Sequence, residues 1–126
     1  MNNSNDGFSK SCNLIEDRIA ALNTNDYPVI LVGDFNCVIG NSCWDNIKTW
    51  MKNTRYAAAE IYSEENQNLY TYNAFGESSS DRNKVDHIWV SKSITVNYYI
   101  TLTQEIRSYG SQAYLSDHYP IFATIA

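Results

Sequence analysis

Val29-Ile-Leu-Val-Gly-Asp-Phe-Asn36 decides the fold. Four aliphatic residues, three of them β-branched, run without a polar interruption and stop at Gly33. Such a run predicts a strand buried on both faces, with Asp34 and Asn36 at its C-terminal end. Ahead of it, Asn13 to Leu22 sets Leu14, Ile15, Ile19, Ala20 and Leu22 among Glu16, Asp17 and Arg18, which is helical spacing. Asn23-Thr-Asn-Asp-Tyr-Pro28 ends that helix, because Asn and Asp favour turns and Pro28 disfavours helical backbone at Tyr27. Residues 1–12, mostly polar, read as a disordered end or a loop remnant, and 13–126 as one folded unit.

Beyond the strand, Asp45 to Met51 predicts a short second helix that Tyr56 to Ile61 continues or follows. Leu69 to Asn73, Val85 to Val90, Ile94 to Thr103 and Ile121 to Ile125 have strand composition and are separated by polar loops. Glu77 to Asn83 joins two of them that could form a hairpin. The order implies an α/β (α+β) domain: helices on one face of one mixed, mostly antiparallel sheet.

Composition narrows the class. With 44% hydrophobic and 13% aromatic residues in 126, the chain has the makings of a packed core. Nine Lys plus Arg against fourteen Asp plus Glu, net −5, argue against a strong sequence-independent hold on nucleic acid, which needs several cations. The longest apolar runs are too short to span a membrane. Cys12, Cys37 and Cys43 form no CxxC pair, which argues against a zinc knuckle; reduced thiols fit better than a disulfide framework, although Cys37 and Cys43 could pair.

Three polar clusters interrupt or end apolar strands: Gly33-Asp34-Phe35-Asn36, Asp86-His87 and Ser116-Asp117-His118-Tyr119-Pro120. A lone Asp at a strand end is usually a turn former. Brought together, carboxylates, an amide and an imidazole supply oxygen ligands for a hard cation, a proton acceptor for water and donors to a phosphoryl oxygen. Ser116 lacks a nucleophile-elbow context, which disfavours a serine hydrolase.

Val29-Ile-Leu-Val-Gly-Asp-Phe-Asn36, Lys84-Val-Asp-His-Ile-Trp-Val-Ser91 and Leu115-Ser-Asp-His-Tyr-Pro-Ile-Phe122 resemble, in order, the last three motifs of the endonuclease/exonuclease/phosphatase family. Leu69-Tyr-Thr-Tyr-Asn-Ala-Phe-Gly76 is similar to the strand that borders that family's substrate pocket. The resemblance implies half of a DNase I-like four-layer α/β sandwich, the C-terminal half. It implies hydrolysis of a phosphodiester or phosphomonoester by in-line attack of activated water, with Mg²⁺ (or Mn²⁺) as cofactor. Asp34 is then expected to orient or deprotonate the water, Asn36 to bond a phosphate oxygen, and His118 to contact the phosphoryl group with Asp86 holding its other nitrogen. Asp117, with Asp34, is expected beside the metal, and Thr71 and Asn73, with Asn36, on the substrate. Nucleic acid, phospholipid and sugar phosphate all fit the substrate class.

The family's metal-binding Glu, which belongs to its first half, has no counterpart here. A chain inactive alone is therefore expected, covered on the apolar side of its strands by the missing N-terminal half or a second copy. A non-catalytic half-domain that binds a partner is the alternative. His87, Trp44, Trp50 and Trp89 read as packing residues, Tyr72 and Phe75 as core or pocket wall, and Asp81, Arg82 and Lys84 as a solvated loop.

Overall fold

The computed structural model describes residues 4–80, 83–103 and 114–126. Residues 1–3, Asp81 and Arg82 thus lie outside the described residues. Helix α1 spans Ser4–Leu22, starting well ahead of Asn13. Residues 4–12 are helical rather than a loop because Phe8 and Cys12 extend the stripe of Ile15 and Ile19 at spacings of four and three, and both pack into the core. The stop falls where expected. Asn23 brackets Tyr27, its Oδ1 accepting the Tyr27 amide at 3.0 Å and its Nδ2 donating to the Tyr27 carbonyl at 2.8 Å.

Strand β1 (Ile30–Asp34) follows, then a 3₁₀ turn (Ser42–Trp44), α2 (Ile47–Trp50), β2 (Met51–Asn53), α3 (Thr54–Ala57) and β3 (Glu60–Ile61). Strands β4 (Asp86–Ser91), β5 (Val96–Thr101) and β6 (Ile121–Ile125) complete the order. Among the described residues two three-stranded sheets result, β1-β4-β2 and β3-β5-β6, where the sequence suggested one. Strand β4 pairs antiparallel with both β1 and β2, so β5 leaves that sheet and pairs with β3 and β6. Pro120, just before β6, has no amide to donate to a ladder at this seam. Leu69 to Asn73, expected as a strand, makes only an isolated bridge from Tyr72 to His118.

One face of β1 and β4 carries the larger core. Leu31, His87 and Trp89 point toward Trp44, Ile47, Met51 and Cys12, and the Trp44 and Trp89 ring centroids lie 5.0 Å apart. Trp50 is only partly buried and donates from its indole to Glu16 at 2.9 Å. The opposite face of β1 is open: Ile30 is 52% and Val32 61% exposed. Burial on both faces does not hold for β1, because α1 covers one side only. Strand β4 is better covered, since Ile88 and Val90 pack with Ala57, Ala58, Ile94 and Val96.

All three cysteines are buried free thiols. Burial first, with neighbouring thiols adding to it, pushes Cys12 and Cys43 up to about 12, so both stay protonated and unreactive at neutral pH. Among the described residues no helix is long and apolar enough to cross a membrane.

Candidate active site

The end of β1 is shaped by its own carboxylate. Asp34 Oδ1 accepts the Asn36 amide at 2.8 Å, a local turn that leaves Oδ2 for the neighbouring His118 side. Asn36 sits at φ +48, a left-handed conformation that Asn tolerates better than most residues. The next residue is anchored from below: the Cys37 carbonyl accepts His87 Nε2 at 2.7 Å. His87 is 2% exposed and its Nδ1 meets Asn53 Nδ2 at 3.2 Å. Since an amide nitrogen only donates and a carbonyl only accepts, His87 carries its proton on Nε2 and is neutral. Burial, aided by the charge of Arg55, lowers its pKa, against the bond to Cys37 and the carboxylates of Asp86 and Asp34.

Antiparallel register sets Asp86, the first residue of β4, opposite Asp34. His118, from the loop before β6, places Nδ1 2.8 Å from Asp86 Oδ2. A carboxylate only accepts, so Nδ1 bears the proton and Nε2 is left to face Asp34 Oδ2 at 3.9 Å. That separation exceeds a hydrogen bond and leaves room for a bridging oxygen. Partial burial alone would lower the His118 pKa. The bond and charge of Asp86, with the charges of Asp34 and Asp117, outweigh it and raise the pKa above the ordinary value. Ser116 Oγ accepts the His118 amide at 3.1 Å, and the Tyr72 ring stands 5.1 Å from the imidazole.

Asp86 and His118 therefore meet directly, with Asp34 across a gap and the Asp117 charge beside them, at the seam between the two sheets rather than at one end of a single sheet. A groove of about 380 Å³ runs there, walled by Val32, Asp34, Asp86, Ile88, Pro120 and Ile121. Asn36, two residues past the end of β1, is exposed and does not line this groove. Thr71 and Asn73, expected on the substrate, are both 0% exposed. The Thr71 hydroxyl is committed to backbone partners, and the Asn73 side-chain amide is buried with neither of its polar atoms bonded. Phe75, by contrast, is 60% exposed and is not core.

Sequence reasoning missed Arg55. It is 1% exposed, its Nη1 donates to the carbonyls of Gln67 and Leu69 at 3.1 and 2.8 Å, and its guanidinium lies 5.0 Å over the Tyr99 ring. It thereby anchors the segment that leads to Thr71. Nothing local distinguishes it from a surface cation. Ser116 was legible in principle, since a Ser two residues before the residue whose amide it caps is a turn signal.

A divalent cation would find hard oxygen donors here. Asp34 and Asp117 both lie close enough to act on the His118 charge, and Mg²⁺ commonly takes one or two protein carboxylates plus water and phosphate. Among the described residues no group of three His, Cys, Asp or Glu side chains is arranged to hold a metal. The donors present suit part of a magnesium site.

No protein-family model matches the sequence, and no curated protein matches it. Solved structures do. A mannosyl-6-phosphatase from Bacteroides thetaiotaomicron is 26% identical with a TM-score of 0.80, the alignment covering 96% of this chain and 46% of that one. An endonuclease/exonuclease/phosphatase family protein from the same organism is 25% identical with a TM-score of 0.80, covering 98% and 44%. D. rerio TDP2, complexed with a single-strand DNA product, shares the fold at 17% identity and a TM-score of 0.69, covering 100% and 52%. The chain spans about half the length of these structures. It carries the DNase I-like fold of the endonuclease/exonuclease/phosphatase family, over a stretch consistent with that family's C-terminal half.

Proposed function

We propose that this chain forms the C-terminal part of a metal-dependent phosphoesterase. The observation that carries the proposal is the Asp86–His118 pair at 2.8 Å with Asp34 across from the free imidazole nitrogen. In this reading water attacks phosphorus in line, a new O–P bond forms, and the bond to the leaving oxygen breaks without a covalent intermediate. Asp34 orients the water or takes its proton. His118, held by Asp86 through Nδ1 and charged by the surrounding carboxylates, donates from a protonated Nε2 to a phosphoryl oxygen as charge builds there. Asn36 donates to a second oxygen. A cation held by Asp34 and Asp117 would supply Lewis acidity and charge neutralisation.

The substrate is a phosphate ester, with sugar phosphates and nucleic acid both suggested by the structural neighbours. Two features support a partner that completes the domain. The described residues offer fewer than three grouped metal donors. An apolar groove of about 540 Å³, bounded by Leu14, Ile19, Leu22 and Ile30, lies open beside β1. The other half of the fold, or a second copy of the chain, would cover it, and the chain alone is expected to be inactive. The exposed β1 face also favours the alternative, a half-domain that acts by binding alone.

The test is hydrolysis of a chromogenic phosphodiester and a chromogenic phosphomonoester with Mg²⁺, using the chain alone and mixed with the other half of the fold as a separate polypeptide. Turnover that appears on mixing and disappears with a chelator and with His118→Ala is expected. A mixture that associates yet stays inactive, or activity indifferent to His118→Ala, contradicts the proposal.

A further inference from the structure

Asp86 and His118 come from segments that share no ladder: one opens β4, the other precedes β6. The segment between them is Tyr70 to Asn73, and Thr71 touches both sides. Its hydroxyl accepts the amides of Val85 and Asp86, each at 3.1 Å, and donates to the Asn83 carbonyl at 3.2 Å. A hydroxyl has one proton and two lone pairs, so this one is fully used. On its other side the Thr71 carbonyl accepts the Tyr119 amide at 2.6 Å, and the Asn73 amide donates to the Asp117 carbonyl at 2.7 Å. The peptides flanking His118 are thus fastened to the same short segment whose hydroxyl fastens Asp86.

We infer that Thr71 is a positioning residue: it joins the Asp86 strand to the His118 loop and so sets the 2.8 Å contact between them. Its complete burial leaves it no path to substrate. That the pair does chemistry rests on the proposed function; that Thr71 sets the pair rests on geometry alone. Reacting groups misplaced by about 1 Å can lose about a hundredfold in rate, which is what such a fastening prevents.

The test uses NMR on the isotopically labelled chain, without substrate or metal. In the wild type, the Val85 and Asp86 amides should exchange slowly with solvent, and the neutral His118 ring should show its proton on Nδ1. Thr71→Val keeps the shape and removes the oxygen. The two amides should then exchange about tenfold faster or more while the Val90 amide, inside β4, does not change, and the His118 proton should divide between the two ring nitrogens. Thr71→Ser should restore the wild-type pattern in both. Unchanged Asp86 exchange and His118 tautomer in Thr71→Val would overturn the inference, as would Thr71→Ser behaving like Thr71→Val. Should Thr71→Val not fold, the wild type and Thr71→Ser decide: rapid exchange at Val85 and Asp86 in either one is contrary, and protection with the Nδ1 tautomer in both supports it. An inactive chain with this pattern leaves the inference intact and counts only against the phosphoesterase reading.

Discussion

Replacing His87 with Leu should destabilise the fold by about 2–4 kcal/mol near pH 8, and the loss should shrink as the solution is acidified. The imidazole holds two buried partners, the Cys37 carbonyl at 2.7 Å and the Asn53 amide at 3.2 Å. Leu satisfies neither. A buried polar group left without a partner costs roughly 1–3 kcal/mol, and the greater apolarity of Leu returns on the order of 1 kcal/mol. The pH arm follows from linkage. The folded His87 pKa is lowered, chiefly by burial, so below about pH 6.5 the unfolded chain binds a proton that the folded chain refuses. Stability from neutral His87 is complete above the unfolded pKa and is lost as pH falls toward the folded one, at most about 1.4 kcal/mol per pH unit. His118, with its raised pKa, acts in the opposite sense, but it is present in both proteins and cancels in their difference. Urea unfolding followed by fluorescence at pH 8, 6.5 and 5 measures this. With a slope of about 1–3 kcal/mol/M the midpoint should drop by roughly 1–3 M at pH 8 and by less at pH 5. A variant as stable as wild type at pH 8, or a gap that widens in acid, would refute the assigned tautomer and its role.

Other outcomes follow from the same geometry. Asp86→Asn, which keeps the shape but removes the charge that fixes His118, should lower the turnover of the assembled enzyme by at least about tenfold, with His118→Ala lower still; initial rates check both. Ile30→Asp and Val32→Asp should abolish association with the covering partner in sedimentation while leaving the circular dichroism of the chain unchanged, since both side chains are exposed. Gly76→Ala should destabilise the loop measurably in thermal melts, because φ is +92 and an added Cβ would collide with the Tyr114 ring.

Much of the fold was legible where local pattern and tertiary environment agree. Strand β6 lies at Ile121–Ile125 as its composition suggests, and Asn23 and Pro28 end α1 by turn chemistry that needs no distant partner. Strands β2 and β3, three and two residues long, are made by pairing with β4 and β5, and no periodicity can reveal so short an element. The open face of β1 was misread because a continuous aliphatic run looks the same whether its second face is covered within the chain or by something else. The Asp86–His118 pairing was legible through the motifs. The task of Thr71 was not, because a hydroxyl bonded to amides 14 and 15 residues away leaves no trace in spacing.

The most direct test of the proposed half-site is a crystal structure of the chain grown with Mg²⁺ and inorganic phosphate. The account predicts Asp86 and His118 in contact, with a phosphate oxygen about 2.7–3.2 Å from His118 Nε2 and another within reach of the Asn36 amide group. Phosphate bound away from the β1 and β6 seam, or the Asp86 and His118 side chains on opposite faces of the fold, would contradict it.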